Sequence, residues 1–193
     1  MASLFECEVR YKIENIKLFK RKLKELKAKL LFHYEFTDYY YGPKDKNLDL
    51  VRKNLRIREW QKPKNQTTIY FVKNEVILID KVKFKRALYP QGKVPLFSGK
   101  LKTCKSLLKD LGFKKLFTIK KEKATFWELP QGFKTVLEYI KGIGWWGELE
   151  FNGKNPVLAK KEIEKALKIL EIKKENVSYK TISAIFFEKL INK

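Results

Sequence analysis

Residues 4–13, LFECEVRYKI, alternate strictly: Phe5, Cys7, Val9, Tyr11 and Ile13 take one face, Glu6, Glu8, Arg10 and Lys12 the other. A period of two with one apolar face predicts a half-buried strand. The period then changes. Ile16, Phe19, Leu23, Leu26 and Leu30 form a stripe at helical spacing, and Asn15 is a good N-cap, so a helix is predicted over 16–31. FTDYYYGPKDKN, from Phe36, reads as a strand ending in a Gly-Pro turn and a polar loop. Short strands follow at 55–60, 67–73 and 81–89, with PKN at 63–65 as a hairpin turn. Ser98 and Gly99 open a helix over about 100–111, with Leu101, Cys104, Leu107, Leu108 and Leu111 inward and Gly112 as its stop. Three more strands follow, LFTIKKEKATFWEL, FKTVLEYIKG and WWGELEFN, with Pro130, Gly132, Gly142 and Gly144 in the turns. Asn155-Pro156 starts a helix to about 171, and Ser178 opens a last one through FFEKL. The expectation is one α+β domain over 1–193: about eight antiparallel strands with helices packed outside. Its two strand-helix halves hint at an internal duplication.

Composition narrows the class. The chain has 193 residues, enough for one sizeable core, and 44% are apolar, too many for a disordered chain. No apolar run approaches the roughly 18 residues of a membrane helix. The first residues, MASLFECEVRYK, carry two glutamates where an export signal would have its apolar core, so a cytoplasmic protein is expected. Cys7 and Cys104 have neither metal-site spacing nor the look of a disulfide framework. His33, the one histidine, is expected to be structural, at a helix end or in the connection after it.

The net charge of +22 attracts polyanions, although most of the lysines fit an ordinary solvated surface. The arginines say more. Only six of the 44 basic residues are arginine, and three of them, Arg10, Arg56 and Arg58, fall inside strand-like segments. The guanidinium fork grips phosphate oxygens in pairs, which lysine cannot do.

The polar faces of several strands share an oddity. Glu6, Glu8, Arg10 and Lys12 project together; Arg56 and Arg58 share a face, as do Lys121 and Lys123, and Glu148 and Glu150. Any one pair fits a face turned to water. The whole set fits better inside a sheet closed into a barrel, where one face of every strand points inward. Buried charge of that density calls for a ligand and metal ions, with carboxylates on Mg2+ or Mn2+ and cations on phosphate oxygens. Cys7 alternates away from the glutamates, into the outer apolar layer. Trp145 and Trp146 are expected at the mouth of the barrel or under the outer helices.

Glu6-Cys-Glu8-Val-Arg10 resembles the N-terminal E-x-E-x-K signature of CYTH proteins, which include class IV adenylate cyclases and thiamine triphosphatases. Arg56-Ile-Arg58 resembles that family's L-R-I-R strand, and Phe71-Val-Lys73 its V-K-G-P segment, with Asn74 and Glu75 in place of Gly-Pro. Lys121-Glu-Lys123 is similar to its K-x-R strand. Leu137-Glu138, Gly142-Ile143-Gly144 and Glu148-Leu-Glu150 are similar to its run of an acidic residue, G-L-G and E-I-E; Ser178-Tyr179 is similar to an S-Y near its C-terminus. The resemblance spans nearly the whole chain in order. It implies a closed eight-stranded antiparallel barrel, a tunnel that threads a polyphosphate past one or two ions of Mg2+ or Mn2+. It also implies that Glu138 joins Glu6, Glu8, Glu148 and Glu150 on the metal, and that Lys73 and Lys83 join Arg10, Lys12, Arg56, Arg58, Lys121 and Lys123 on the phosphates. The chain departs from the family where Glu138 replaces aspartate, where Lys85 and Arg86 follow Lys83 in place of acidic residues, and where Lys123 replaces arginine.

The resemblance implies an enzyme, a phosphohydrolase acting on inorganic triphosphate, thiamine triphosphate or a nucleoside triphosphate such as ATP. The alternative is an adenylate cyclase using the same site and releasing pyrophosphate. A further alternative is an RNA 5'-triphosphatase or a non-catalytic polyphosphate- or RNA-binding module; acidic pairs at both ends of the chain speak against a plain anion binder. No membrane contact is expected, and the assembly expected is a monomer or homodimer.

Overall fold

The computed structural model describes residues 5–43, 52–79, 82–89, 92–153 and 155–191, leaving aside the side chains at 5–6, 82–87 and 152–153. Ten strands and four helices lie among the described residues, in the order β1 (Phe5–Lys12), α1 (Ile16–Glu25), β2 (Lys29–Pro43), β3 (Lys53–Lys62), β4 (Gln66–Ile79), β5 (Val82–Ala87), β6 (Val94–Ser98), α2 (Leu101–Asp110), β7 (Phe113–Glu128), β8 (Lys134–Ile140), β9 (Gly144–Gly153), α3 (Pro156–Ile169), β10 (Val177–Ser178) and α4 (Ile182–Ile191). The fold is α+β. One antiparallel sheet runs β10-β1-β5-β4-β3-β2-β7-β8-β9, with β6 added on β4. β1, near one end of that run, also pairs with β9 at the other. It pairs with β9 from Phe5–Gly153 to Lys12–Trp146, and with β5 where Glu6 stands opposite Lys85.

The apolar face of β1 behaves as its alternation predicts. Cys7, Val9, Tyr11 and Ile13 are buried with Leu137 and Leu149 under Leu23 of α1 and Ala159, Ile163 and Ala166 of α3. Each large aliphatic group sealed in this way stabilises the fold by about 1.5–3 kcal/mol. On another sector Cys104 and Leu108 of α2 cover Leu55, Ile57 and Ile69. Tyr11 also donates or accepts at 2.6 Å with Thr135 Oγ1. A Cβ at Gly147 would fall inside the Tyr11 ring, so glycine is needed where β9 crosses that residue. The last helix, α4, packs differently. Its Ile182, Ile185 and Phe186 meet Tyr40, Phe117, Ile119 and Ile140 on the opposite face of the sheet.

Three boundaries differ from expectation. The helix predicted over 16–31 stops at Glu25. Lys27 takes φ 55, Ala28 N–H bonds Leu23 O and Lys27 N–H bonds Lys24 O, which is a Schellman closure made without glycine. Leu30 and His33 therefore belong to β2, opposite Trp127 and Thr125 of β7, and His33 is exposed on a strand. Ser98 does not open α2; it ends β6, a strand the pattern did not predict, and its Oγ bonds Thr68 at 2.8 Å while Lys100 stands at the cap. Ser178 lies in β10 opposite Arg10, and Thr181 caps α4 instead, accepting from Ala184 N–H at 3.1 Å. The polar loop expected after Pro43 lies outside the described residues. No helix among the described residues is long and apolar enough to cross a membrane.

Candidate active site

Residues directly opposite across an antiparallel ladder share a face. With the odd positions of β1 under α1 and α3, its even positions turn the other way. Arg10 stands opposite Glu148 and Glu8 opposite Glu150. Val136 and Glu138 of β8 stand opposite Glu148 and Trp146. Lys121 of β7 stands opposite Phe36 of β2, and Asp38 and Tyr40 of β2 stand opposite Arg58 and Arg56 of β3. One continuous face thus collects Glu8, Arg10, Arg56, Arg58, Lys121, Glu138, Glu148 and Glu150 from the sequence-predicted set. It adds Asp38, Tyr34 and Tyr40.

The groups are interleaved by sign. Arg10 lies between Glu8 and Glu148, with Nη1 2.5 Å from Glu148 Oε2. Lys121 Nζ is 2.8 and 2.6 Å from the two oxygens of Glu138, whose Oε1 also accepts from the Tyr34 hydroxyl at 2.5 Å. Arg58 donates from Nε and Nη2 to the two oxygens of Asp38, both at 2.7 Å, and its guanidinium lies 3.7 Å over the Phe36 ring. Arg56 Nε is 3.6 Å from Asp38, and its Nη1 donates to Tyr40 at 3.4 Å. Two buried donors, Arg10 Nε and Arg56 Nε, have no hydrogen-bond partner among the described residues. A buried guanidinium N–H left so costs about 1–3 kcal/mol or more, which an anionic oxygen at that position would recover.

The two sides of this interior are electrostatically unlike. Burial alone would raise the pKa of Asp38, but Arg58 and Arg56 overcome it and hold that carboxyl below its ordinary value. Glu148 goes the other way. Burial, reinforced by the charges of Glu8 and Glu138, outweighs Arg10 and pushes it up to about 7. Burial is also the largest influence on Arg10, acting to lower its pKa; Glu148, Glu8 and Glu138 prevail, so its guanidinium stays firmly protonated. Arg10 thus serves both Glu8 and Glu148 on the β1–β9 side while Lys121 serves Glu138, whereas the single carboxylate of Asp38 serves two cations on the β2–β3 side.

Several predicted residues lie elsewhere. Lys123 does not share the face of Lys121. A register shift between Glu122 and Thr125 puts Lys123 at φ 51, and its exposed Nζ sits 5.8 Å over Tyr139, on the face of β8 opposite to Glu138. Lys73 pairs with Lys53, is exposed, and has the parity of Ile69 and Phe71, which face α2. It is outward because the unbroken β3–β4 register turns Val72, not Lys73, to the interior. Lys12 keeps the parity of Glu8 and Arg10 but is exposed at the end of β1, opposite Trp146. The side chains of Glu6 and Lys83 lie outside the described set; their backbones stand opposite Lys85 and Leu78. Asp38 was legible only as a lone acid at an even position among Phe36 and Tyr40. Tyr34 was hidden by the misplaced helix end. Trp146 joins the cluster under α4 and Trp145 sits edge-on to Tyr139.

Glu8, Glu138 and Glu148 are hard oxygen donors, and the pKa of Glu148 is raised by burial first and by the neighbouring charges of Glu8 and Glu138 after it. That chemistry fits Mg2+ or Mn2+. No three acidic, histidine or cysteine side chains among the described residues stand close enough to hold an ion; Arg10 bridges Glu8 and Glu148, and Lys121 is paired with Glu138. A cavity of about 110 Å³ opens beside them, lined by Phe126, Lys134, Thr135, Val136, Glu148 and Glu150.

Comparison with known proteins bears on the fold and the family. No curated protein matches the chain. Among solved structures, a conserved hypothetical protein from Pyrococcus furiosus is 26% identical, with TM-score 0.70 over 92% of this chain and 97% of the other. A candidate adenylate cyclase from Vibrio parahaemolyticus is 18% identical, with TM-score 0.70 over 94% and 97%. A candidate adenylyl cyclase from Hippeastrum, described as having a dominant triphosphatase activity, is 15% identical, with TM-score 0.64 over 96% of each chain. The last two establish likeness of fold. The family model of the CYTH domain matches residues 4–181, and the chain belongs to the CYTH domain family.

Proposed function

We propose that this protein is a metal-dependent phosphohydrolase that acts on a triphosphate held inside a tunnel of eight strands, β1-β5-β4-β3-β2-β7-β8-β9. The tunnel reading is supported by the double pairing of β1, with β9 and with β5. The observation that carries the function is the inward face itself. Arg10, Arg56, Arg58 and Lys121 alternate with Glu8, Asp38, Glu138 and Glu148, and the Nε donors of Arg10 and Arg56 lack hydrogen-bond partners among the described residues. A plain polyanion binder gains nothing from carboxylates beside phosphate.

In this reading Arg56, Arg58 and Lys121 bind phosphate oxygens, with Arg10 shared between phosphate and carboxylates. Asp38 holds Arg58 flat on Phe36, so the fork is oriented before substrate arrives. Glu8, Glu148 and Glu150, with Glu138 and, from its place in β1, Glu6, would hold Mg2+ or Mn2+. A divalent ion there supplies positive charge at the phosphate oxygens that bear charge in the transition state. Carboxylate oxygens not engaged in this way orient an attacking water.

A panel of inorganic triphosphate, thiamine triphosphate, ATP and 5'-triphosphate RNA, each with Mg2+ and Mn2+, tests the reading. Orthophosphate release that chelator abolishes is the expected result. Pyrophosphate with cyclic AMP would replace hydrolysis by the cyclase reaction, and tight binding without turnover would leave a non-catalytic module.

A further inference from the structure

An unbroken register of β7 on β8 would set Lys123 directly against Glu138, because Lys121 stands opposite Ile140 and Glu122 opposite Tyr139. The bulge prevents that pairing. Lys123 turns outward at φ 51, the ladder resumes with Thr125 opposite Leu137, and the inward place passes to Ala124, which is fully buried. Ala124 stands opposite Tyr34 of β2, and its small side chain lets the tyrosine ring lie across β7. Although β7 separates β2 from β8 in the sheet, the Tyr34 hydroxyl thereby donates to Glu138 Oε1 on β8 at 2.5 Å. The exchange has an electrostatic consequence. Glu138 would have faced two lysines, much as Asp38 faces Arg58 and Arg56. It faces one lysine and one neutral hydroxyl instead, and a hydroxyl orients a carboxylate without cancelling its charge.

Packing by itself does not ask for that hydroxyl. Tyr34 lies among rings, with Phe36 at 5.8 Å, Phe32 at 6.0 Å and Trp60 at 6.2 Å between centroids, and a phenylalanine would fill the same volume. The two oxygens of Glu138 are unequally used. Oε1 meets two donors, Tyr34 and Lys121 Nζ at 2.8 Å, whereas Oε2 meets Lys121 alone at 2.6 Å. Each carboxylate oxygen has about two lone-pair sites, so Oε1 is filled and Oε2 keeps one. If Lys121 turns to a phosphate oxygen, as the reading above requires, Tyr34 is the donor that stays on Glu138. We propose that Tyr34 is a positioning residue for Glu138: its hydroxyl fixes Oε1, so that Oε2 and the undiminished charge of the carboxylate are offered to the divalent ion. The inference rests on the metal-dependent reading above. It adds a residue that sets the affinity for metal and leaves the grip on phosphate to the arginines.

The test measures Mn2+ affinity by titration calorimetry on the parent chain, Tyr34→Phe, Glu138→Gln and the double variant, with the Mg2+ requirement and the triphosphate KM of the first two beside it. Tyr34→Phe should weaken Mn2+ by about tenfold, the usual effect of removing a group that holds a metal ligand, and should raise the Mg2+ needed for half-maximal turnover by a similar factor. The KM for inorganic triphosphate at saturating Mg2+ should stay within about twofold. In the Glu138→Gln chain the same substitution should change Mn2+ affinity by less than about twofold, because the carboxylate through which it acts is gone. Phenylalanine keeps the ring, so Tyr34→Phe is expected to fold, and its urea midpoint checks that it does. Unchanged Mn2+ affinity in Tyr34→Phe, or an equal loss with and without Glu138, overturns the positioning role while the metal-dependent reading stands. A variant that fails to fold, or one in which triphosphate KM and Mg2+ requirement rise together, makes Tyr34 a structural residue and also overturns it. A parent chain that binds no Mn2+ overturns both readings.

Discussion

The two sides of the interior use the same residue types to opposite ends. On the β2–β3 side Asp38 is outnumbered by Arg56 and Arg58 and its carboxyl is held below its ordinary pKa. On the β1–β9 side Arg10 is outnumbered by Glu8 and Glu148, with Glu138 held by Lys121, and burial together with the charges of Glu8 and Glu138 raises Glu148 to about 7. The first is a surplus of positive charge and suits phosphate; the second is a surplus of negative charge and suits a metal ion. Salt bridges alone would not reveal this, since both sides contain them. What matters is which sign is left over when the pairs are counted.

The largest expected effect breaks the symmetry of the two walls. Asp38→Ala leaves two largely enclosed arginines without their buried carboxylate and should cost about 3–5 kcal/mol in urea unfolding. Glu148→Gln, measured in excess chelator, removes a crowded carboxylate and should cost little or stabilise. Comparable losses from both substitutions would mean the walls are alike.

Their pH dependence should also run in opposite directions. The depressed pKa of Asp38 contributes stability that is present above the ordinary carboxylate range and lost as pH falls through its folded value. The raised pKa of Glu148 means that the folded chain keeps a proton the unfolded chain has lost. Its contribution is full below about 4.5 and lost as pH rises to about 7, on the order of 3 kcal/mol for a shift of that size. In chelator, the melting temperature of the parent should fall between pH 5 and 8 relative to that of Glu148→Gln. Parallel curves would remove Glu148 from the account.

Ligand dependence should divide the same way. Arg58→Ala should raise the KM for triphosphate by roughly 10–100-fold at saturating metal, since a charge-assisted hydrogen bond contributes about 1.5–3 kcal/mol. Glu8→Gln should instead shift the Mg2+ titration. Identical effects of the two substitutions on both titrations would leave a single undivided site.

The smallest effects are expected at Lys73 and Lys123. Both are exposed and outward, so alanine at either should leave the triphosphate KM within about twofold. A larger loss at Lys123 would show that the bulge in β7 turns inward when substrate binds.

The alternation of residues 7–12 and the paired arginines at 56 and 58 were legible because each rests on a period of two within one unbroken strand, where local sterics decide which way a side chain faces. Lys123 and Lys73 were misread for two reasons: a bulge shifts the period by one at Lys123, and register across strands sets the parity at Lys73. The end of α1 was misread because its Schellman closure uses Lys27, where glycine would have announced it.

By itself, then, the sequence determined an α+β chain with clustered carboxylates and arginines on strand faces, because hydrophobic periodicity and side-chain chemistry are local properties. Only the tertiary structure decided that Asp38 clamps the arginines, that Arg10 is shared among glutamates, and that the rings of Phe32, Tyr34, Phe36, Trp60 and Phe126 line up. Those pairings join β2 with β3 and β7, and β1 with β9, across separations of up to 138 residues for Arg10 and Glu148, and no local pattern encodes a partner that far along the chain.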